Sequence, residues 1–421
     1  MDKLHQAEDA RSQISKRILY IVSLNHLIND SSTYLIASLF PAIVLAFSFS
    51  EFEIGILVAI GYVINMIFQP LTGRLSERYE ERKLLALGIS FMAVSMLLFT
   101  ISTSFVMMLV SVLILRFGSS FYHPVGVAAI SRNYRGRTLD SSMGFQSSFG
   151  NLGVMLAFAL SAPLYLILGW RGPFLIYATL QTVIVATTLI GMRKERAPIE
   201  RPSDLDAQKT TESVATNHNS SRENLSTSVG SGSSRYLLLG LPLFFFFAAL
   251  VSGGAYSIIS NFGNLFLVHN GFGFTNSDYL IALWVASAFF GAIISGWLTR
   301  KLGREKLLLI VYSFGGLATF GFAFSYHDIL LVILSLIVSG FSISVTYPAI
   351  YSELSAYLER NPKLTRGTAY GVLFTGQITG SAIFGVVTGY LADALSLRVP
   401  FIIGASMLVF YAATVFVRSR S

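Results

Sequence analysis

His26 and Asp30 stand four residues apart, a spacing that on a helix places an imidazole and a carboxylate one turn from each other on a single face. Ser23, Thr33, Tyr34 and Ala37 extend that face, while Leu24, Ile28 and Leu35 supply an apolar side. An imidazole titrates near neutral pH and tunes a neighbouring carboxylate, so the pair has the chemistry to take up and release a proton; the alternative is a static hydrogen-bonded pair between helices. Arg116 is a third ionisable group set in an apolar run. Its guanidinium stays charged, so it can bind an anion or hold a carboxylate such as Asp30 ionised, but it cannot relay protons. Two turns further on, His123 precedes Pro124, which removes a backbone donor and either exposes a carbonyl to solute or water or simply kinks the helix.

These residues form the expected site. Asp30, His26 and Arg116 are the candidates for proton coupling. Arg116, His123, Asn29, Tyr34, Gln146, Asn151, Tyr256, Asn261, Tyr347 and Gln377 are the candidates for binding a solute, although many intramembrane amides serve only as interhelical hydrogen bonds. No catalytic group is expected. A Gly-x-Ser-x-Gly elbow, an HExxH zinc pair and a phosphate-cradling P-loop are absent, which argues against hydrolase, zinc-protease and ATP-driven chemistry. The chain has no cysteine, so disulfides, thiolate metal sites and a cysteine nucleophile are excluded, and neither a cofactor nor a metal is expected.

The elements that must position these groups are apolar. The 421 residues are 53% hydrophobic and 12% charged, about half the charged share of an average soluble domain. A bilayer crossing needs about 20 apolar residues. Twelve such spans are predicted, at 18–46, 54–76, 83–102, 105–131, 141–168, 173–192, 236–268, 279–299, 306–325, 328–353, 367–394 and 399–417. The sequence predicts an all-α membrane protein with no cleavable leader, whose only charges deep within spans are Asp30 and Arg116. Of its 30 Lys and Arg, 27 fall on one side if odd-numbered spans start there, which places both termini in the cytoplasm. The net charge of +8 is thus a topological signal and not a nucleic-acid footprint.

Residues 193–235 are rich in Ser, Thr and Asn with mixed charge, and are expected to be a disordered cytoplasmic linker between an N-terminal half, 1–192, and a C-terminal half, 236–421. The halves repeat each other. Gly73-Arg74-Leu75-Ser76 aligns with Gly296-Trp297-Leu298-Thr299 at an offset of 223 residues, and Tyr122-His123-Pro124 with Thr346-Tyr347-Pro348 at 224. Gly144 and Gly153 align with Gly371 and Gly380 at 227, as does Arg171-Gly172-Pro173-Phe174 with Arg398-Val399-Pro400-Phe401. Six spans per half give a parallel repeat, related by a pseudo-two-fold axis along the membrane normal.

Gly73-Arg74-Leu75-Ser76-Glu77-Arg78, followed by Arg82-Lys83, resembles the loop signature between the second and third helices of the major facilitator superfamily. Glu80 and Glu81 depart from it, and the second copy, around Gly303-Arg304, has Arg300 in place of the acid. A closer resemblance is to the fosmidomycin-resistance-like branch, carried by His26-Leu27-Ile28-Asn29-Asp30, Gln69-Pro70, Gly118-Ser119-Ser120, His123-Pro124, Phe145-Gln146 and Gly150-Asn151-Leu152-Gly153. The resemblance implies alternating access, with a cytoplasmic gate at Gly73, Glu77, Arg78, Arg82, Gly296 and Arg304, and efflux of a small drug-like or anionic compound in exchange for protons. Proton-linked import of a metabolite is the alternative, and a non-transporting receptor a more distant one. The expected partners are a small solute, protons and the lipid bilayer of the plasma (inner) membrane, with the chain acting as a monomer.

Overall fold

A computed structural model describes residues 2–134, 136–192, 243–324, 327–360 and 366–418, and among these it contains helices and no strand. In the first half lie α1 (Asp2–Ser38), α2 (Phe40–Phe47), α3 (Glu51–Arg78), α4 (Glu81–Ile101), α5 (Phe105–Ser119), α6 (Tyr122–Asn133), α7 (Gly136–Leu168) and α8 (Gly172–Gly191). In the second lie α9 (Leu243–His269), α10 (Phe274–Leu302), α11 (Arg304–Phe324), α12 (Ile329–Arg360), α13 (Arg366–Ala394) and α14 (Arg398–Arg418). Among the described residues ten helical spans are long and apolar enough to cross a membrane, with α5 and α6 forming one of them, and eleven if α1 and α2, bent by 45°, count as one. Helix α13 stands in the place of the eleventh predicted span, 367–394. The expected linker 193–235 lies outside the described residues.

The two breaks have local causes. Pro41 opens α2 in its first turn, where a missing donor is harmless, and Ser48 closes that helix with a left-handed φ of 55°. Between α5 and α6, Pro124 cannot donate to the carbonyl of Ser120, four residues back. The Thr72 hydroxyl of α3 supplies the missing donor at 2.8 Å. The break is therefore satisfied by a neighbouring helix, as a low-dielectric environment demands. Helix α3 itself starts from a capping box, in which Ser50 Oγ accepts from Glu53 N at 3.2 Å and Glu53 Oε2 accepts from Ser50 N at 2.9 Å.

Helix pairing follows the internal repeat. Within the halves, α1 packs on α7 and its counterpart α9 on α13, while α4 packs on α8 and α11 on α14. Across the halves, α3 packs on α13 and its counterpart α10 on α7. The cross-half contacts gather at the end where α3 begins and α13 ends, the end poor in Lys and Arg. A Cβ added to Gly55 of α3 would sit 2.6 Å from the Gly385 carbonyl, so only glycine admits so close a crossing. Asp393 Oδ1 and Oδ2 accept from the Glu51 and Phe52 amides, each at 2.9 Å, and the Tyr165 ring packs edge-on against Phe274 at 4.9 Å. Large side chains such as Phe99, Phe158, Phe262 and Trp284 fill the interior, and Leu45, Ile167 and Phe410 stand on the outside, where hydrocarbon is the solvent.

Candidate functional site

The predicted face of α1 exists, and α5, α6 and α7 complete it. His26 Nε2 lies 3.2 Å from Asp30 Oδ2. On its other side, His26 Nδ1 is 2.8 Å from the backbone carbonyl of Gln146 on α7. A carbonyl only accepts, so Nδ1 carries a proton and the chemistry of the ring is left to Nε2. The Gln146 side chain donates to the Tyr122 hydroxyl at 2.8 Å, that hydroxyl donates to the Val22 carbonyl at 3.1 Å, and the Tyr122 ring stacks on His26 at 4.5 Å. Gln146 therefore orients the imidazole. Asn29 Nδ2 donates to Asp30 Oδ1 at 2.8 Å, and His123 Nε2 approaches the same oxygen at 3.9 Å. Gly150 of α7 lies flat against the pair: a Cβ there would be 2.5 Å from the His26 ring and 2.8 Å from Asp30 Oδ2.

Arg116 is not part of that cluster. Buried to 7% exposure near the end of α5, it has no carboxylate within ion-pair distance and no side-chain hydrogen bond among the described residues. The pairing with Asp30 considered from sequence is not formed; Asp30 is held instead by two imidazoles and an amide. The guanidinium lies over the Tyr62 ring at 5.3 Å and interacts electrostatically with the Tyr34 hydroxyl. Tyr34 and Tyr256, one from each half, lie close together beside Tyr62. Tyr256 also packs on Trp284 at 4.9 Å and faces Tyr347 at 6.4 Å.

The remaining candidates divide. Tyr347 donates to the Ser252 carbonyl at 3.2 Å, and Gln377 accepts from the Tyr351 hydroxyl at 3.3 Å. Asn261 spends its amide on Ser257 and Ser260 of its own helix turn, at 2.9 to 3.3 Å. Asn151 is partly buried on α7, one residue beyond Gly150.

One acidic residue was missed. The expectation that Asp30 is the sole acid deep in a span is wrong, because the eighth span was started at 279, while α10 begins at Phe274 and carries Asp278 inside the bundle at 0% exposure. Ser161 of α7 and Asn264 of α9 donate to its carboxylate, and Asn264 also donates to the Ser38 carbonyl at 2.7 Å. The flanking Gly271-Phe272-Gly273-Phe274-Thr275-Asn276-Ser277 reads as a loop, and only the apolar positions that follow Asp278 betray the helix.

At the opposite end, Arg82 pairs through Nε with Glu80 Oε2 at 2.6 Å, Lys83 lies 3.7 Å from the same carboxylate, and Arg132 bonds Glu81 and the Ser76 carbonyl. Of the two glutamates that depart from the family signature, Glu81 thus ties the loop to α6 through Arg132, while Glu80 holds Arg82 and Lys83 beside it. Glu77, Arg78, Gly296 and Arg304 are exposed, and Gly73 faces Pro124 of α6. The side chains of the first turn of α13 lie outside the described residues.

A profile of the Major Facilitator Superfamily matches residues 22–363. The chain is 22% identical over 402 residues to the fosmidomycin resistance protein of Escherichia coli (strain K12), covering 93% of this chain and 91% of that one. It is 21% identical over 399 residues to multidrug resistance protein 2 of Bacillus subtilis (strain 168), covering 94% and 93%. Among solved structures, a bacterial homologue of the human lysosomal transporter Spinster, in an inward-facing and unoccupied conformation, superposes with a TM-score of 0.76 at 15% identity, covering 97% of both chains. The nucleoside transporter NupG superposes with a TM-score of 0.70 at 15% identity, covering 97% and 99%. Ten or eleven apolar helical spans among the described residues, packed in the same pairs in each half, and a profile match over most of the sequence lead to one assignment: the chain is a multi-pass membrane transporter, not an enzyme, and belongs to the Major Facilitator Superfamily.

Proposed function

We propose that this transporter exports a small anionic or drug-like organic solute in exchange for protons, by alternating access about the cavity between its halves. Arg116 carries the reading. A permanent cation withdrawn from water is costly unless something neutralises it, and here no carboxylate does so among the described residues. An anionic solute lying against Arg116, with Tyr34, Tyr62 and Tyr256 around it, would supply the missing charge. His26 and Asp30 are the proton carriers in this scheme: Nδ1 is committed to the Gln146 carbonyl, so one further proton or cation must lie between Nε2 and Asp30 Oδ2 for their 3.2 Å approach to be attractive.

The halves meet at the end poor in Lys and Arg, which supports a cavity opening toward the basic, cytoplasmic end, with both termini on that side of the inner membrane. The names of the relatives favour export. Fosmidomycin, an anionic phosphonate, is therefore the first solute to try. Everted membrane vesicles containing the chain should accumulate it when the vesicle interior is acidified, and Arg116→Ala should abolish this while the protein keeps its thermal unfolding profile. Uptake only into right-side-out vesicles would make the chain an importer, and undiminished transport by Arg116→Ala would remove that residue from the binding site.

A further inference from the structure

His26, Asp30 and His123 bring three metal-ligating atoms to one point. Each offers one ligand atom, and the three lie within 4.8 Å of one another. Around a zinc-like ion, with metal–nitrogen and metal–oxygen bonds of about 2.0 to 2.2 Å, tetrahedral ligands stand roughly 3.3 Å apart. The 3.2 Å from His26 Nε2 to Asp30 Oδ2 already matches this, and His123 Nε2, 3.9 Å from the other oxygen of the same carboxylate, comes into range with a small rotation of the His123 side chain. That side chain is 46% exposed, so it has room to move and leaves the fourth position open.

The surroundings are those of a ligand set already oriented for a cation. The Gln146 carbonyl fixes the proton of His26 on Nδ1 and turns the Nε2 lone pair toward Asp30, as the hydrogen bond on the other ring nitrogen does for metal-binding histidines. Asn29 donates to Asp30 Oδ1 at 2.8 Å and so orients the carboxylate. Two ligands sit at i and i+4 on α1. The third sits in the first turn of α6, beside Pro124, where the Thr72–Ser120 hydrogen bond at 2.8 Å holds the break. Gly150 leaves no space between α7 and the pair, so a bound ion has to lie on the cavity side.

We infer that His26, Asp30 and His123 form a site for a divalent transition-metal ion of the zinc, cobalt and nickel class, open to the central cavity. Two imidazoles and one carboxylate suit these ions, whereas magnesium and calcium prefer shells built from oxygen. With neutral imidazoles the ligands carry one negative charge, so the bound ion keeps a net charge of +1 and its open position favours an anionic fourth ligand. The ion would lie where the exchanged proton lies in the proposed cycle, between Nε2 and the carboxylate. Occupation by metal and coupling by proton are then alternatives for the same atoms. The inference is tested on binding alone and stands or falls independently of transport.

The experiment uses the purified full chain carrying a histidine-free affinity tag, stripped with a chelator and titrated with cobalt chloride at fixed pH. Visible absorption reports the coordination geometry, and no thiolate can contribute because the chain has no cysteine. The expected result is one tetrahedral cobalt per chain, displaced by zinc and not by an equal concentration of magnesium. Affinity should fall by at least about tenfold in Asp30→Asn and in His123→Gln, and should be unchanged in His269→Gln, at the exposed end of α9. His123→Gln alters a half-exposed side chain, so it keeps the test valid if Asp30→Asn fails to fold. Absence of stoichiometric cobalt, parental affinity in the folded cluster variants, or an equal loss in His269→Gln would each overturn the inference.

Discussion

Ser161 of α7 donates a hydrogen bond to the carboxylate of Asp278 on α10, joining the two halves in a place no water reaches. Asn264 of α9 donates to the same carboxylate and to the Ser38 carbonyl at the end of α1, so one acid gathers both inner helices of the closed end. Opening that end has to separate Ser161 from Asp278 and Asn264 from Ser38. The group is thus a latch whose hydrogen bonds exist in only one of two arrangements, which is what a population shift requires.

Asp278→Ala is therefore expected to open this end more often. It leaves the Ser161 hydroxyl and the Asn264 amide without their shared acceptor, a loss of about 1 to 3 kcal/mol in the closed arrangement only. A cysteine placed at Tyr165, beside the contact with Phe274, should react with a membrane-impermeant maleimide at least about fivefold faster in the Asp278→Ala background. The native chain contributes no cysteine background. Equal labelling rates would mean that the latch does not hold the halves together.

Glu77→Gln addresses the other end. Glu77 is exposed, and a carboxylate at this place can interact with the positive start of α13 when that end closes. Removing the charge should favour the arrangement open at the basic end, raising labelling of a cysteine at Gly73 by no more than about fivefold, since a solvated charge at a helix end contributes little. No change at Gly73, with Arg82→Gln producing one, would move the gate to the Arg82–Glu80 pair.

The spans, the repeat and the His26–Asp30 pair were legible in the sequence because each is a matter of spacing. An apolar run of span length, an offset near 224 residues and an i,i+4 relation survive without knowledge of packing. What was not legible depends on helices meeting. His123 joins Asp30 because the α5–α6 break aims it at α1, and its 93-residue separation from Asp30 carries no signal of this. Arg116 was matched to Asp30 by charge, but the distance between them is set by α3, whose Tyr62 takes the guanidinium instead. Asp278 was hidden by its Gly-, Asn- and Ser-rich flank, and Arg82 was assigned to a family gate while its geometry favours Glu80, two residues away.

Asp30→Asn should separate driven from passive exchange. The amide keeps the shape and can still meet Asn29 or His26, but it holds no exchangeable charge. Vesicles carrying it should lose accumulation against an imposed pH gradient and keep counterflow of labelled solute. Accumulation equal to that of the parent would route the proton elsewhere, with Asp278 the next acid to test.

The sharpest test of the site's packing is a methyl group. Alanine is ordinarily the better helix former, by roughly 0.5 to 1 kcal/mol over glycine. Gly144 and Gly150 lie on the same helix, α7, but a Cβ at Gly144 meets nothing within 4 Å, whereas one at Gly150 falls 2.5 Å from the His26 ring and 2.8 Å from Asp30 Oδ2. Gly144→Ala should therefore leave transport intact and raise the unfolding temperature slightly. Gly150→Ala has to push either the imidazole off the Gln146 carbonyl or α7 away from α1, at a cost of about 1 to 3 kcal/mol for overpacking. Solute flux should fall at least about tenfold, with the loss greatest for proton-driven accumulation, because the His26–Asp30 approach is the geometry most directly disturbed. A second substitution gives room back: His26→Ala in the Gly150→Ala background should recover thermal stability without recovering accumulation. If Gly150→Ala transports like the parent, α7 does not press on the pair and the coupling geometry described for His26 and Asp30 is wrong.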